Sequence, residues 1–324
     1  MTSPVTPDPS STSDPRAPER ASWQFHLRVV LAFGVIYILW GTSYMAIMLA
    51  LRGIPPVLMS GTRFILAGLI LLGVGRLGGA PLRPPAGTFP TLWGIGVLLL
   101  IGNWAVVWSE QYIPSGVAAL VWATSPLCIA ALGRALSAGD RLGRRGAAGL
   151  ALGLAGVGLL VWPKISRGEA GDLRGEIVLV LGMVVWSFAS VWVKRASIAL
   201  SPVVAAGWQM LTGGVVFFVV ALVLGDPARV RWEPGSLLAF AYLTITGSCL
   251  GYGSYIWLLH HVSAPRVATF AYVNPVVAVF LGWAFLGESL GLFVILGTLV
   301  IIPAVILAVT PPKRAGARQA RRNP

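Results

Sequence analysis

The 324-residue sequence is short of the groups on which most soluble chemistry depends. It has two cysteines, Cys128 and Cys249, both inside apolar runs, so neither a disulfide framework nor a cysteine metal site can be drawn. It has three histidines, His26, His260 and His261, of which two are adjacent at the end of an apolar run, and no zinc site follows from them. No G-x-x-x-x-G-K-[ST] loop is present, which removes an ATP-driven pump. Acidic residues number 11 against 24 basic ones, and charged residues make up only 11% of the chain. Too few polar side chains remain to coat a soluble domain of this length.

What is abundant is apolar sequence. Hydrophobic residues account for 56% of the chain and the mean hydropathy is +0.80. Runs of roughly 20 apolar residues, enough to cross about 30 Å of hydrocarbon as helices, recur ten times. Their expected spans are 29–50, 57–79, 89–110, 114–136, 144–163, 175–197, 202–225, 235–259, 264–286 and 289–310. The expected fold is an all-α integral membrane protein. Residues 1–28, rich in Pro, Ser and Thr and without a signal-peptide pattern, are expected to form a disordered tail, and 311–324 a basic tail. Beside ten spans, that basic tail reads as a topology signal and not as a nucleic-acid site.

Lys and Arg sort by side. Assigning alternate loops to alternate faces puts 17 on the face holding both tails and 6 on the other, with Arg63 left inside a span. Both termini are therefore expected in the cytoplasm, as an even number of spans also requires.

The chain also repeats itself. At a shift of 149, Gly102, Trp108, Ala119, Pro126, Leu132, Gly133 and Ala135 fall on Gly251, Trp257, Ala268, Pro275, Leu281, Gly282 and Ala284. One residue is then lost, and Asp140, Leu142 and Gly143 fall on Glu288, Leu290 and Gly291. Upstream, at a shift of 146, Trp40, Pro56, Gly61 and Gly68 meet Trp186, Pro202, Gly207 and Gly214. The expected organisation is a first repeat over 29–163, an extracytoplasmic linker over 164–174 and a second repeat over 175–310. Each repeat has five spans, an odd number, so the second enters the membrane inverted. Two inverted halves that exchange conformations turn an outward-open cavity into an inward-open one.

These residues carry a family resemblance. The stretches "LWGTSYMAI" (39–47), "TRF" (62–64), the mid-span "SP" (125–126) and "NP" (274–275), and "LGESL" (286–290) resemble the drug/metabolite transporter superfamily. The chain is similar to its branch with two EamA-type repeats of five helices, over about 30 to 310. The resemblance implies a ten-helix carrier of the bacterial inner (plasma) membrane, with cytoplasmic termini, exporting amino acids or other metabolites. One departure is visible, "AGDRL" (138–142) in the first repeat where the family commonly has the glutamate motif of the second.

The polar inventory within the spans is small. Pro126 and Pro275 leave the carbonyls of Trp122 and Ala271 without a helical partner, so they mark either kinked, cavity-lining helices or packing kinks. No carboxylate sits plainly at mid-span, and Glu110 lies at a helix end. Arg63, seven residues or about 10 Å beyond Pro56, is read as an anion contact for substrate, as one half of a structural ion pair with Glu110, or as a snorkelling side chain. Trp40, Tyr44, Asn103, Trp108, Trp122, Ser125, Trp186, Tyr252, Tyr272 and Asn274 are the candidate substrate-binding residues. Flat apolar walls with a few hydrogen-bonding groups are the usual make-up of a small-molecule site. Each aromatic taken singly reads equally as packing. Glycines in spans 5 and 10, such as Gly149, Gly153, Gly291 and Gly297, read as scaffold contacts.

The leading expectation is a secondary transporter for neutral or aromatic amino acids. An exporter of other metabolites or drugs, or a passive channel or lipid scramblase, is the alternative. Paired intramembrane acids and a core histidine are both missing, so an enzyme is not expected and no catalytic residue is assigned. Phosphorylated solutes would call for several deep cations, and only Arg63 is available. The expected partners are the bilayer and a small-molecule substrate, with no nucleic acid and no cofactor or metal, and the expected state is a monomer.

Overall fold

The computed structural model describes residues 17–136, 144–167, 173–262, 267 and 269–309. The expected basic tail 311–324, Asp140, the middle of the linker and the start of the ninth span lie outside the described residues. All regular structure among the described residues is helical.

The first repeat supplies α1 (Ala17–Ala50), α2 (Pro56–Leu77), α3 (Phe89–Ser109), α4 (Ser115–Trp122), α5 (Ser125–Leu136) and α6 (Arg144–Ser166). The second supplies α7 (Arg174–Ala196), α8 (Pro202–Val223), α9 (Pro234–Tyr242), a π-helical segment Leu243–Leu250, α10 (Gly251–His261), α11 (Phe270–Leu286) and α12 (Leu292–Val309). Among the described residues, eight stretches are long and apolar enough to cross a membrane, and Phe270–Leu286 and Leu292–Leu307 are shorter apolar helices. Helix starts follow local chemistry. Proline occupies one of the first two positions of α2, α3, α8 and α9, where its missing N–H costs nothing. Ser201 caps α8 by accepting from the Val204 N–H at 3.3 Å.

Two expectations change. Residues 17–28, assigned to a disordered tail, are helical, because α1 begins at Ala17 with helix formers around a first-turn proline. The fourth span is divided, since α4 ends at Trp122 and α5 starts at Ser125, which puts Pro126 in a first turn and not in a helix interior. Pro275, by contrast, stays within the continuous α11.

The packing interlocks the repeats. The most extensive contacts are α2 with α8, α6 with α12, α3 with α7 and α8, and α1 with α11 and α10. Exchanging the two repeats maps α2·α8 and α6·α12 onto themselves. It also maps α3·α7 onto the contact of α1 with the α9–π–α10 helix. Close approach is built from small residues. A side chain at Gly61 or Gly68 would run into the backbone of α8, and one at Gly156 or Gly297 into Ile301 or Leu160. Outward faces remain apolar, with Leu77, Val223, Leu238 and Phe285 each at least 70% exposed. Such a surface needs lipid against it. Trp23, Trp93, Trp162 and Trp232 are exposed near helix ends, where interfacial rings belong.

Candidate functional site

The ten candidate residues are divided among three groups. The first centres on Trp40 of α1. Its ring lies 5.5 Å from Tyr255 and 4.9 Å from Phe270, edge-on to the latter, and Tyr255 is 6.2 Å from Tyr252. The indole N–H donates to the carbonyl of Gly247, inside the π-helical segment, at 3.0 Å. π-Helical turns are uncommon and often mark sites where a helix is re-aimed for function. Nearby, Tyr37 and Thr269 share a hydroxyl–hydroxyl bond of 2.5 Å. The buried Asn274, with its amide nitrogen turned to face carbonyls, donates to Tyr37 and Phe270 at 3.3 Å each. Tyr37, Tyr255 and Phe270 were missed in the sequence. Tyr255 is the one with a legible signal, standing one turn from Tyr252 on the same face.

The second group joins the repeats through Trp122 and Trp186, whose rings are 5.5 Å apart. Beside it Thr124 contacts the Met183 sulfur at 3.3 Å, and Ser125 is buried at the start of α5. Gly102 of α3 lies against Trp186, so α7 approaches α3 closely next to the half-buried Asn103. Trp122, Tyr44 and Tyr272 all pack on the same central core of Ala46, Met59, Leu120, Leu179 and Ala271.

The third group occupies the end of the molecule at which α3 finishes and α4 begins, here termed the Glu288 end. Trp108 belongs here and packs on Tyr112 with ring centres 4.6 Å apart and planes tilted by 51°, and Arg174 lies 4.0 Å over the Tyr112 ring. Arg63 is buried and its Nε donates to Ser248 Oγ in the π-helical segment at 2.9 Å. The Arg63–Glu110 ion pair is not formed, because the guanidinium turns to Ser248 and both Glu110 carboxylate oxygens are buried without a hydrogen-bond partner. Arg63 is therefore an anchor of α2 on the π-helical segment in this state.

At the same end, short polar contacts tie one repeat to the other. The Ser115 and Gly116 N–H groups donate to the two oxygens of Glu288, at 2.7 and 3.1 Å. This capping position is created by Gly287, whose positive φ of 71° ends α11 and lets the Glu288 N–H close back on Gly282. The Leu58 N–H donates to Asp226 at 3.3 Å, the Arg231 N–H to the Gly53 carbonyl at 2.8 Å and the Ser236 hydroxyl to the Leu49 carbonyl at 3.1 Å. Lys164 pairs with Glu176 at 3.0 Å. A sequence search restricted to membrane-depth residues passes over this set, since every member lies at a helix end.

Comparison with known proteins agrees with this architecture. The EamA-like transporter family matches residues 27–162 and again 173–310. An inner membrane transporter of Escherichia coli strain K12, YedA, is 35% identical over 278 residues, covering 85% of this chain and 89% of its own. PecM of Dickeya dadantii is 28% identical over 272 residues, covering 83% and 88%. A chloroplastic WAT1-related protein of Arabidopsis thaliana is 26% identical over 292 residues, covering 85% and 68%. A solved structure titled "Crystal structure of protein" superposes with a TM-score of 0.63 at 22% identity, over 90% of this chain and 98% of that one, and shares the fold. Two matched repeats, interlocked as described, place the chain in the EamA-like transporter family.

Proposed function

We propose that the protein is a secondary transporter of the bacterial inner membrane that exports small metabolites, neutral or aromatic amino acids, by alternating access. The observation that carries this reading is the closure at the Glu288 end. There the repeats meet through capping hydrogen bonds and one ion pair. Such ties are individually worth about 1–3 kcal/mol and are remade easily. The α2·α8 and α6·α12 seams, built on glycine, need not be disturbed when they part. With the basic loops on the other face, the Glu288 end faces outward, and the molecule stands closed to the outside.

The substrate reading rests on chemistry. Trp40, Trp122, Trp186, Tyr252 and Tyr255 offer ring faces from both repeats, with Asn274 and Ser125 as neutral hydrogen-bonding groups. A flat or neutral side chain suits such walls. Arg63, the one buried cation among the described residues, is too little for phosphate recognition.

Counterflow in liposomes containing the purified protein tests the proposal. Labelled amino acids are offered outside against excess unlabelled internal solute, with sugar phosphate and cationic drug as controls. Saturable accumulation of an amino acid is the expected result. Accumulation of a control alone moves the substrate class, and leakage without saturation or exchange sinks the carrier reading.

A further inference from the structure

Glu110 is the buried group for which transport through aromatic pockets has no use. It follows the last turn of α3, is 2% exposed, and presents two carboxylate oxygens that no described residue contacts by hydrogen bond. The ionisable groups that face it are few. Tyr44 faces it from α1, Arg63 from α2 and Glu288 from the turn after α11. Arg63 has its Nε on Ser248, and Glu288 is spent on the Ser115 and Gly116 N–H groups. From α7, Glu176 holds Lys164 at 3.0 Å and Arg174 covers the Tyr112 ring.

An ionised Glu110 would thus stand out of water with no counter-charge in contact and a like charge alongside. A carboxylate so placed is far costlier than its neutral form, and the ordinary relief is to take up a proton. The connection to closure is mechanical. Only Gln111–Pro114 separate Glu110 from Ser115, and this connector is wound tight by Tyr112 and Ile113 N–H bonds to Ser109 at 2.9 and 3.1 Å. The seat of Glu110 and the start of α4, where Glu288 docks, are thus held by one short connector.

We propose that Glu110 is a proton-binding site whose occupancy is tied to closure of the Glu288 end. The carboxylate takes one proton from the aqueous phase at that end as Glu288 docks on α4, becoming a neutral acid. It returns that proton as a carboxylate when the dock opens, and no other reactant is involved. The proposal rests on the alternating-access reading. It adds to it that external acid favours the closed outer face.

Infrared difference spectroscopy of the full-length protein in lipid, titrated from acidic to alkaline pH, tests this without any substrate. A protonated-carboxyl band at neutral pH is expected in the wild type and absent in Glu110→Gln. In Glu288→Ala, which releases the dock and also removes a like charge, the same band is expected to disappear at a pH lower by about one unit or more, and in Glu288→Gln, which removes the same charge but keeps an acceptor for the start of α4, by clearly less. Should Glu110→Gln not fold, Glu110→Asp keeps a carboxyl and is expected to move the band and keep its response to Glu288→Ala. Identical spectra for wild type and Glu110→Gln, or a band indifferent to Glu288→Ala, overturn the proposal. Counterflow does not enter the measurement. A band present in a protein that moves no amino acid therefore condemns the substrate reading and leaves the proton site standing.

Discussion

Trp40 of the first repeat lies against Gly251 of the second, and their sequence counterparts, Trp186 and Gly102, meet in the same crossed manner. Each repeat therefore lends a tryptophan to a glycine of the other. The two crossings differ in depth. At Gly251 the neighbouring atoms belong to the indole ring of Trp40, whereas at Gly102 they are the Cβ and Cα of Trp186. The ring of Trp186 is thus free to turn to Trp122, while that of Trp40 lies across the helix and bonds Gly247. The π-helical turn sits on the Trp40 side alone, in the second repeat, and α3 is regular at the matching positions. An exact two-fold would have no inside and outside; this asymmetry is what a single captured state requires.

Gly251→Ala is expected to push the Trp40 indole off the helix and break its bond to Gly247. The loss of packing and of one hydrogen bond corresponds to about 1–3 kcal/mol. Counterflow should fall severalfold and the melting temperature should drop. Gly253→Ala is the control, since an added Cβ there meets nothing within 4 Å. Equal loss in both variants would show that helix α10 tolerates no side chain at all, and would remove the special role given to Trp40.

Glu288→Ala should loosen the contact between the repeats at the Glu288 end. It removes the acceptor of two N–H bonds at the start of α4, at about 1.5–3 kcal/mol for a charged acceptor, so the open population should rise about tenfold or more. A single cysteine at Val117, buried in the groove beside Glu288, reports it in a background with Cys128 and Cys249 changed to serine. Labelling by an impermeant thiol reagent should quicken by a similar factor. An unchanged rate would mean that the dock does not hold the two repeats together.

Much of this was legible in the chain because it follows from composition and spacing. The apolar runs, the duplication and the prolines at helix starts are local or periodic signals. The division of the candidate site was not legible. Trp108 and Trp40 both read as deep aromatics, yet Trp108 lies near the end of α3, where it packs on Tyr112, and Trp40 meets residues more than 200 positions away. Arg63 read as an anion contact, as a partner for Glu110 or as a snorkelling side chain, because charge and depth allow all three. Its choice of Ser248 depends on the π-helical turn, which no periodicity announces. The break at Ala123 and Thr124 was half legible, as a proline whose effect on the helix only packing decides.

The division of the aromatics gives a second functional test. Trp186→Ala and Trp40→Ala are expected to lower counterflow at least about tenfold while leaving expression and monodispersity intact, since neither ring is fully buried. Trp108→Ala should cost much less, because its ring packs on Tyr112 at the Glu288 end. Trp40→Phe separates ring from hydrogen bond, keeping a flat wall while giving up the N–H to Gly247. Normal transport by both Trp40→Ala and Trp186→Ala would remove the aromatic pocket as the substrate site.

Lys164 and Glu176 join α6 to α7 across the point where one repeat gives way to the next, and their burial decides how they behave. The Glu176 side chain is 7% exposed and its second oxygen is buried without a hydrogen bond, whereas Lys164 retains 21% exposure. Removing the lysine therefore strands a desolvated carboxylate, while removing the carboxylate leaves a cation that reaches water along its stem. Lys164→Met is expected to destabilise by about 1–3 kcal/mol, below the usual range for a fully buried pair because of that partial exposure. Glu176→Gln should cost less. The double variant Lys164→Met with Glu176→Leu should recover most of the loss, as apolar replacements of a buried pair do. Thermal unfolding of the four proteins in one detergent measures this. If the double variant is no better than Lys164→Met alone, the pair holds the two repeats together by its charge and not merely by filling the space between α6 and α7.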